Sequence, residues 1–173
     1  RAAANAALNT AAHDPRAFLM VAEVDIRENR GEDAIATLTR GLQSDPTSIE
    51  LNQRLLGLLM QTDRWRAIDQ ALANLRRALS EHGAPMFSAN LASARVFETR
   101  GQHYRALTEY QAALAHYPEN VDLQLAVARS AEQAGHIAEA VNAYTAVLRR
   151  NPEHPEAKAA LARIQQDKKN LEM

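Results

Sequence analysis

The side chains best suited to chemistry in this 173-residue chain are six histidines, at positions 13, 82, 103, 116, 136 and 154, and three arginines on a 34-residue spacing, Arg95, Arg129 and Arg163. A helical zinc site needs two histidines one turn apart, and none of the six has a histidine partner at i+4 or sits in a His-Glu-x-x-His run. They fall mostly where helices are expected to end, which predicts solvated helix-terminal roles. Cysteine is absent, so thiolate metal sites, disulfides and cysteine nucleophiles are excluded. No glycine-rich phosphate loop, nucleophile elbow or pair of carboxylates in a shared pocket is legible. The residues therefore predict no metal, no cofactor and no catalytic centre.

The arginines carry a second pattern. Leu-x-x-x-Arg-x-x-Glu occurs at Leu91, Arg95 and Glu98 and again at Leu125, Arg129 and Glu132. Three guanidinium groups at equivalent heights would form a ladder able to hold carboxylates through paired hydrogen bonds. Alternatively each arginine pairs with the glutamate at i+3, or with the adjacent copy, and leaves a neutral polar wall.

The elements that position these residues follow from an internal period. Gly101, Ala106, Tyr110, Leu114 and Pro118 return 34 positions later as Gly135, Ala140, Tyr144, Leu148 and Pro152. A period of this length marks a copied supersecondary unit that buries its apolar face only against a neighbouring copy. A shared ruler of 12 residues runs from Ala34 to Pro46, from Ala106 to Pro118 and from Ala140 to Pro152. The alanine marks a close crossing of helices A and B, and the proline stops helix B. Gly101 and Gly135 mark the A–B turn, where positive φ is easiest for glycine, and Asn29 fills that slot in the first copy.

The predicted A helices are 15–28, 47–61, 86–100 and 119–134. The B helices are 32–44, 64–81, 103–116 and 137–150, followed by a closing helix near 154–169. Asp14 before Pro15 reads as an N-cap, and Thr47 to Glu50 has capping-box spacing. In the second copy Ala67 takes the ruler position, yet Pro85 comes six residues late, which would add ~9 Å if helical. Trp65 and Tyr104 each stand two before the ruler alanine and read as packing residues, Trp65 having the alternative of an exposed anchor. Tyr110 and Tyr144 read as core spacers.

Composition sets outer bounds. With 46% hydrophobic residues, 5% aromatics, and six each of glycine and proline, the chain reads as ordinary globular and all-α. Twenty basic against twenty-one acidic residues, without like-charge blocks, leave no footprint for nucleic acid. The apolar run at 55–60 is far shorter than the ~18 residues of a membrane span, so no membrane insertion is predicted. The compartment stays open, cytoplasmic and periplasmic both being compatible. The segment 2–12 reads as a helix without a visible start, which predicts that the chain begins inside a larger protein.

The small-residue A helix, the Gly turn, and Gly101-Gln102-His103-Tyr104-Arg105-Ala106 followed by Tyr110, Ala113-Leu114 and Pro118 resemble the tetratricopeptide repeat family. The resemblance covers repeats at 15–47, 48–86, 87–120 and 121–154. A partial helix precedes them at 1–14, and a polar capping helix follows at 155–173, the whole read as one solenoid. It implies a right-handed superhelix of antiparallel helix pairs whose A helices line a concave groove for a peptide or a partner helix. The groove positions are then Leu19, Glu23 and Ile26 in the first repeat, Gln53 and Met60 in the second, Leu91, Arg95 and Glu98 in the third, and Leu125, Arg129 and Glu132 in the fourth. The Lys/Asn/Arg clamp of some members is not met, since Leu19, Glu23, Ser88 and Ala92 stand at its positions. The implied function is a non-catalytic scaffold, bacterial in cast, for a protein or peptide partner. The alternatives are the repeat segment of a larger enzyme or of an envelope or polysaccharide-export assembly factor, and a self-assembling scaffold, a homo-oligomer.

Overall fold

The computed structural model describes residues 14–171, and the helix expected at 2–12 lies outside them. Every regular element among the described residues is an α-helix: α1 Pro15–Arg27, α2 Gly31–Ser44, α3 Ile49–Leu59, α4 Trp65–Glu81, α5 Phe87–Thr99, α6 His103–His116, α7 Val121–Gln133, α8 Ile137–Arg150 and α9 Pro155–Leu171. The alternation of A and B helices predicted from the period is thus observed. Two compact units divide the chain, one through Ala89 and the other from Asn90.

Within the first unit α1 packs on α2 and α3, α2 on α3, and α3 on α4. Its core gathers Phe18, Val21, Leu38, Leu51, Leu55, Leu56, Ile68 and Leu75. Gly41 sits at the closest approach: a Cβ there would meet Phe18 Cγ at 2.9 Å and Leu51 Cδ1 at 3.0 Å. Within the second unit α6 packs on α7, α7 on α8 and α8 on α9, around Leu107, Tyr110, Leu123, Val127, Tyr144 and Val147.

The turns repeat because the same chemistry repeats. Asn29, Gly101 and Gly135 have φ of 58°, 68° and 79°. In each case the next residue donates its N–H five positions back, Arg30 to Asp25 O, Gln102 to Phe97 O and His136 to Ala131 O, all at 2.8 Å. That is the Schellman closure, which a left-handed residue makes possible. Helices α2, α6 and α8 end at Asp45, Tyr117 and Asn151, with φ of −138°, −138° and −128°; the proline that follows each pushes its predecessor out of the helical region. In the next loop a buried amide holds the chain: Asn52 Nδ2 donates to Pro46 O at 3.1 Å and Ser48 O at 2.8 Å, and Gln124 Nε2 donates to Pro118 O at 2.7 Å.

Three expectations are corrected. The N-cap of α3 is Ser48, whose Oγ accepts from Leu51 N at 3.4 Å; Thr47 instead turns back onto Asp45 Oδ1. The ruler position of the second repeat is Ile68, which is fully buried like Ala34, Ala106 and Ala140 and donates to Arg64 O as they donate to their own N-caps; Ala67 is only half-buried. Lacking a proline at ruler distance, α4 runs 17 residues instead of 14 and ends on Gly83 at φ 61°. About 4.5 Å of the excess is therefore helix, and the rest is loop. Trp65 and Tyr104, at the starts of α4 and α6, are 37% and 62% exposed, and the Tyr104 ring lies 5.4 Å from that of His136.

Candidate functional site

The A helices bring the predicted charged residues into two separate arrangements, one per unit. In the first unit, Glu23 on α1 receives Arg54 Nη2 from α3 at 2.5 Å and Arg27 of its own helix at 3.5 Å. Leu19 and Ile26 are half-buried beside it; Gln53 is exposed, and Met60 caps the end of α3. Below this face lies a closed polar lock: Asp25, 2% exposed, accepts from Arg30 Nη2 at 2.5 Å and Nε at 3.1 Å, and Arg30 also meets Glu28 and Asp33. The Asp25 carboxylate holds the Arg30 guanidinium above its ordinary pKa.

In the second unit a tyrosine fixes each groove glutamate. Tyr110 Oη donates to Glu98 Oε2 at 2.7 Å, and Tyr144 Oη donates to Glu132 Oε2 at 2.9 Å. Both tyrosines are almost fully buried. Burial first, and then the bond to glutamate, pushes both phenols well above their ordinary value of 10.0, so they stay protonated and keep donating; Arg95 and Arg129 partly offset the rise at Tyr110. Glu132 Oε1 also receives Arg163 Nη2 of α9 at 2.5 Å, and that bond raises the Arg163 pKa. Glu132 is thereby engaged at both oxygens.

Arg129 is less fully engaged. Among the described residues its one side-chain hydrogen bond is from Nη1 to Glu156 Oε1 at 3.4 Å, the outer limit for such a contact, and its buried Nε meets no acceptor. Arg129, Glu132, Gln133, Tyr144, Glu156 and Arg163 surround a hollow of about 340 Å³ floored by Ala159 and Ala160. Arg95 is exposed, and Leu91 and Glu98 are half-buried; Leu125 is 7% exposed and belongs to the core. Arg129 and Arg163 thus each meet an acid across the α7–α9 pair, Glu156 and Glu132 respectively.

Sequence reasoning missed the tyrosine–glutamate bond and Glu156. The first had a signal, since Glu98 to Tyr110 and Glu132 to Tyr144 are both 12 apart. His13 lies outside the described residues, and the other histidines stand at helix ends: His136 and His154 are the residues before α8 and α9, and His154 Nδ1 accepts from Ala157 N at 3.4 Å. Among the described residues no group of three or more histidines and carboxylates is placed to hold a metal ion, and no helix is long and apolar enough to cross a membrane.

Two family models, both described as tetratricopeptide repeat, match residues 2–126 and 99–164. No curated protein matches the chain. Among solved structures, a crystal structure of MamA is 20% identical, covers 88% of this chain and 87% of its own, and superposes with a TM-score of 0.72. MamA from Desulfovibrio magneticus RS-1 is 14% identical over 90% of this chain and 85% of its own, with a TM-score of 0.74. PilW, a widely conserved type IV pilus biogenesis factor, is 22% identical over 87% of this chain and 68% of its own, with a TM-score of 0.68. Because the family models span most of its length, the chain belongs to the tetratricopeptide repeat family, whose members serve as protein-interaction scaffolds.

Proposed function

We propose that the A-helix face, and in the second unit the surface built on α5, α7 and α9, receives a segment of a partner protein without chemistry of its own. The observation that supports this reading is the fixing of Glu98 and Glu132 by buried tyrosines. A surface serving stability alone does not need its charges held in one geometry, whereas recognition gains from side chains already ordered before the partner arrives. The mixture of half-buried leucine with guanidinium and carboxylate groups suits an extended or amphipathic segment held by moderate contacts.

The test is affinity capture with the purified chain, followed by binding of the recovered protein to the Arg95→Glu/Arg129→Glu variant. Loss of binding with helicity and Tm preserved supports the reading. Retention of wild-type affinity rejects this face.

A further inference from the structure

The hollow between α7 and α9 has an uneven charge economy. Glu132 has both oxygens engaged, by Tyr144 and Arg163. Among the described residues Arg129, a group of five N–H donors, makes one long side-chain bond, to Glu156, and keeps a buried Nε without an acceptor. Burying a charged donor unpaired is costly, and such groups are ordinarily satisfied. Glu156 belongs to the first turn of α9, and its side chain is 42% exposed, as is that of Arg129. It can therefore leave the hollow for water by rotamer change alone.

Resting on the reading of this face as the binding surface, we propose that Arg129 is the seat for a carboxylate of the partner and that Glu156 occupies that seat as an internal stand-in until it is displaced. The incoming group exchanges with Glu156, so the charge of the hollow is unchanged by the swap, and Glu132, Tyr144 and Arg163 remain as its fixed wall. The partner segment thus carries an acidic side chain or a C-terminal carboxylate opposite Arg129. Glu156 sets the affinity, since the work of opening its contact is subtracted from every binding event.

The seat is tested by following the Arg129 Nε–Hε signal in proton–nitrogen spectra, assigned by its loss in Arg129→Gln, at constant ionic strength held with chloride. Two probes separate the sources of the carboxylate: acetyl-Ala-Glu-Ala-amide carries it on a side chain, and acetyl-Ala-Ala-Ala with a free C-terminus carries it at the chain end. Saturable movement of the Arg129 signal is expected with at least one probe. Glu156→Gln should lower the midpoint roughly two- to five-fold, the range of a partly exposed ion pair, and Glu156→Ala should do the same. An unchanged midpoint in both variants, or an Arg129 signal indifferent to both probes, overturns the proposal. If the captured protein still loses binding in the Arg95→Glu/Arg129→Glu variant, the face survives and only the exchange with Glu156 falls.

Discussion

Replacing Tyr144 by Phe isolates the bond that fixes Glu132. The ring is 1% exposed and packs in the core of the second unit, and phenylalanine keeps that packing; only the hydroxyl 2.9 Å from Glu132 Oε2 is lost. A hydrogen bond to an ionised group contributes about 1.5–3 kcal/mol. The Glu132 side chain is 20% exposed and retains Arg163, so water and the guanidinium recover part of the loss, and the expected cost is about 1–2 kcal/mol. For a chain of this size that corresponds to a fall in Tm of roughly 2–8 °C. Chemical denaturation should show a lower midpoint with an unchanged slope. A double-mutant cycle with Glu132→Gln assigns the effect, because the two changes remove the same bond and should fall short of additivity by about 1 kcal/mol. Full additivity, or a Tyr144→Phe variant as stable as the parent, would refute the argument that this bond orders the face.

Further outcomes follow from the same geometry. Gly41→Ala should destabilise: the propensity gain of about 1 kcal/mol is outweighed by forcing a Cβ against Phe18 and Leu51, for which overpacking costs about 1–3 kcal/mol. Gly57→Ala, at an α3 position with nothing within 4 Å, should stabilise by about 0.5–1 kcal/mol; both are read by urea midpoints. Gly135→Ala, at φ 79°, should cost about 1–2 kcal/mol from left-handed strain, measurable as a Tm shift. Stability should also fall in alkali. Tyr110 and Tyr144 have pKa values raised above 10.0 in the folded state, so their contribution is complete below that pH and is lost as pH climbs towards the folded values. Urea midpoints measured from pH 8 to 11.5 check this, and the double Tyr→Phe variant should lose the dependence.

Much of the architecture was legible because the repeat states its own punctuation. Residues before proline and residues with positive φ are constrained by local sterics, so Asn29, Gly101, Gly135, Pro46, Pro118 and Pro152 place the helix ends without tertiary information. The second repeat was misread where that punctuation fails. Ile68 fills a slot held elsewhere by alanine, and the neighbouring Ala67 draws the alignment one residue away. The face itself was only half legible. That Arg129 and Arg163 would find acids, at i+3 or on the adjacent copy, was legible; which of the two was not, because α9 brings Glu156 and Arg163 against α7, a juxtaposition that depends on packing and not on spacing along one helix. The bond from tyrosine to glutamate was hidden by the aromatic ring, whose burial explained the residue before its hydroxyl was considered.

The most direct measurement is hydrogen exchange of the chain alone and saturated with its captured partner, resolved by helix. The account predicts new protection in α5, α7 and α9, reduced protection in the Arg95→Glu/Arg129→Glu variant at the same partner concentration, and little change across the exposed faces of α6 and α8. Protection confined to α6 and α8, or equal in parent and variant, would contradict it.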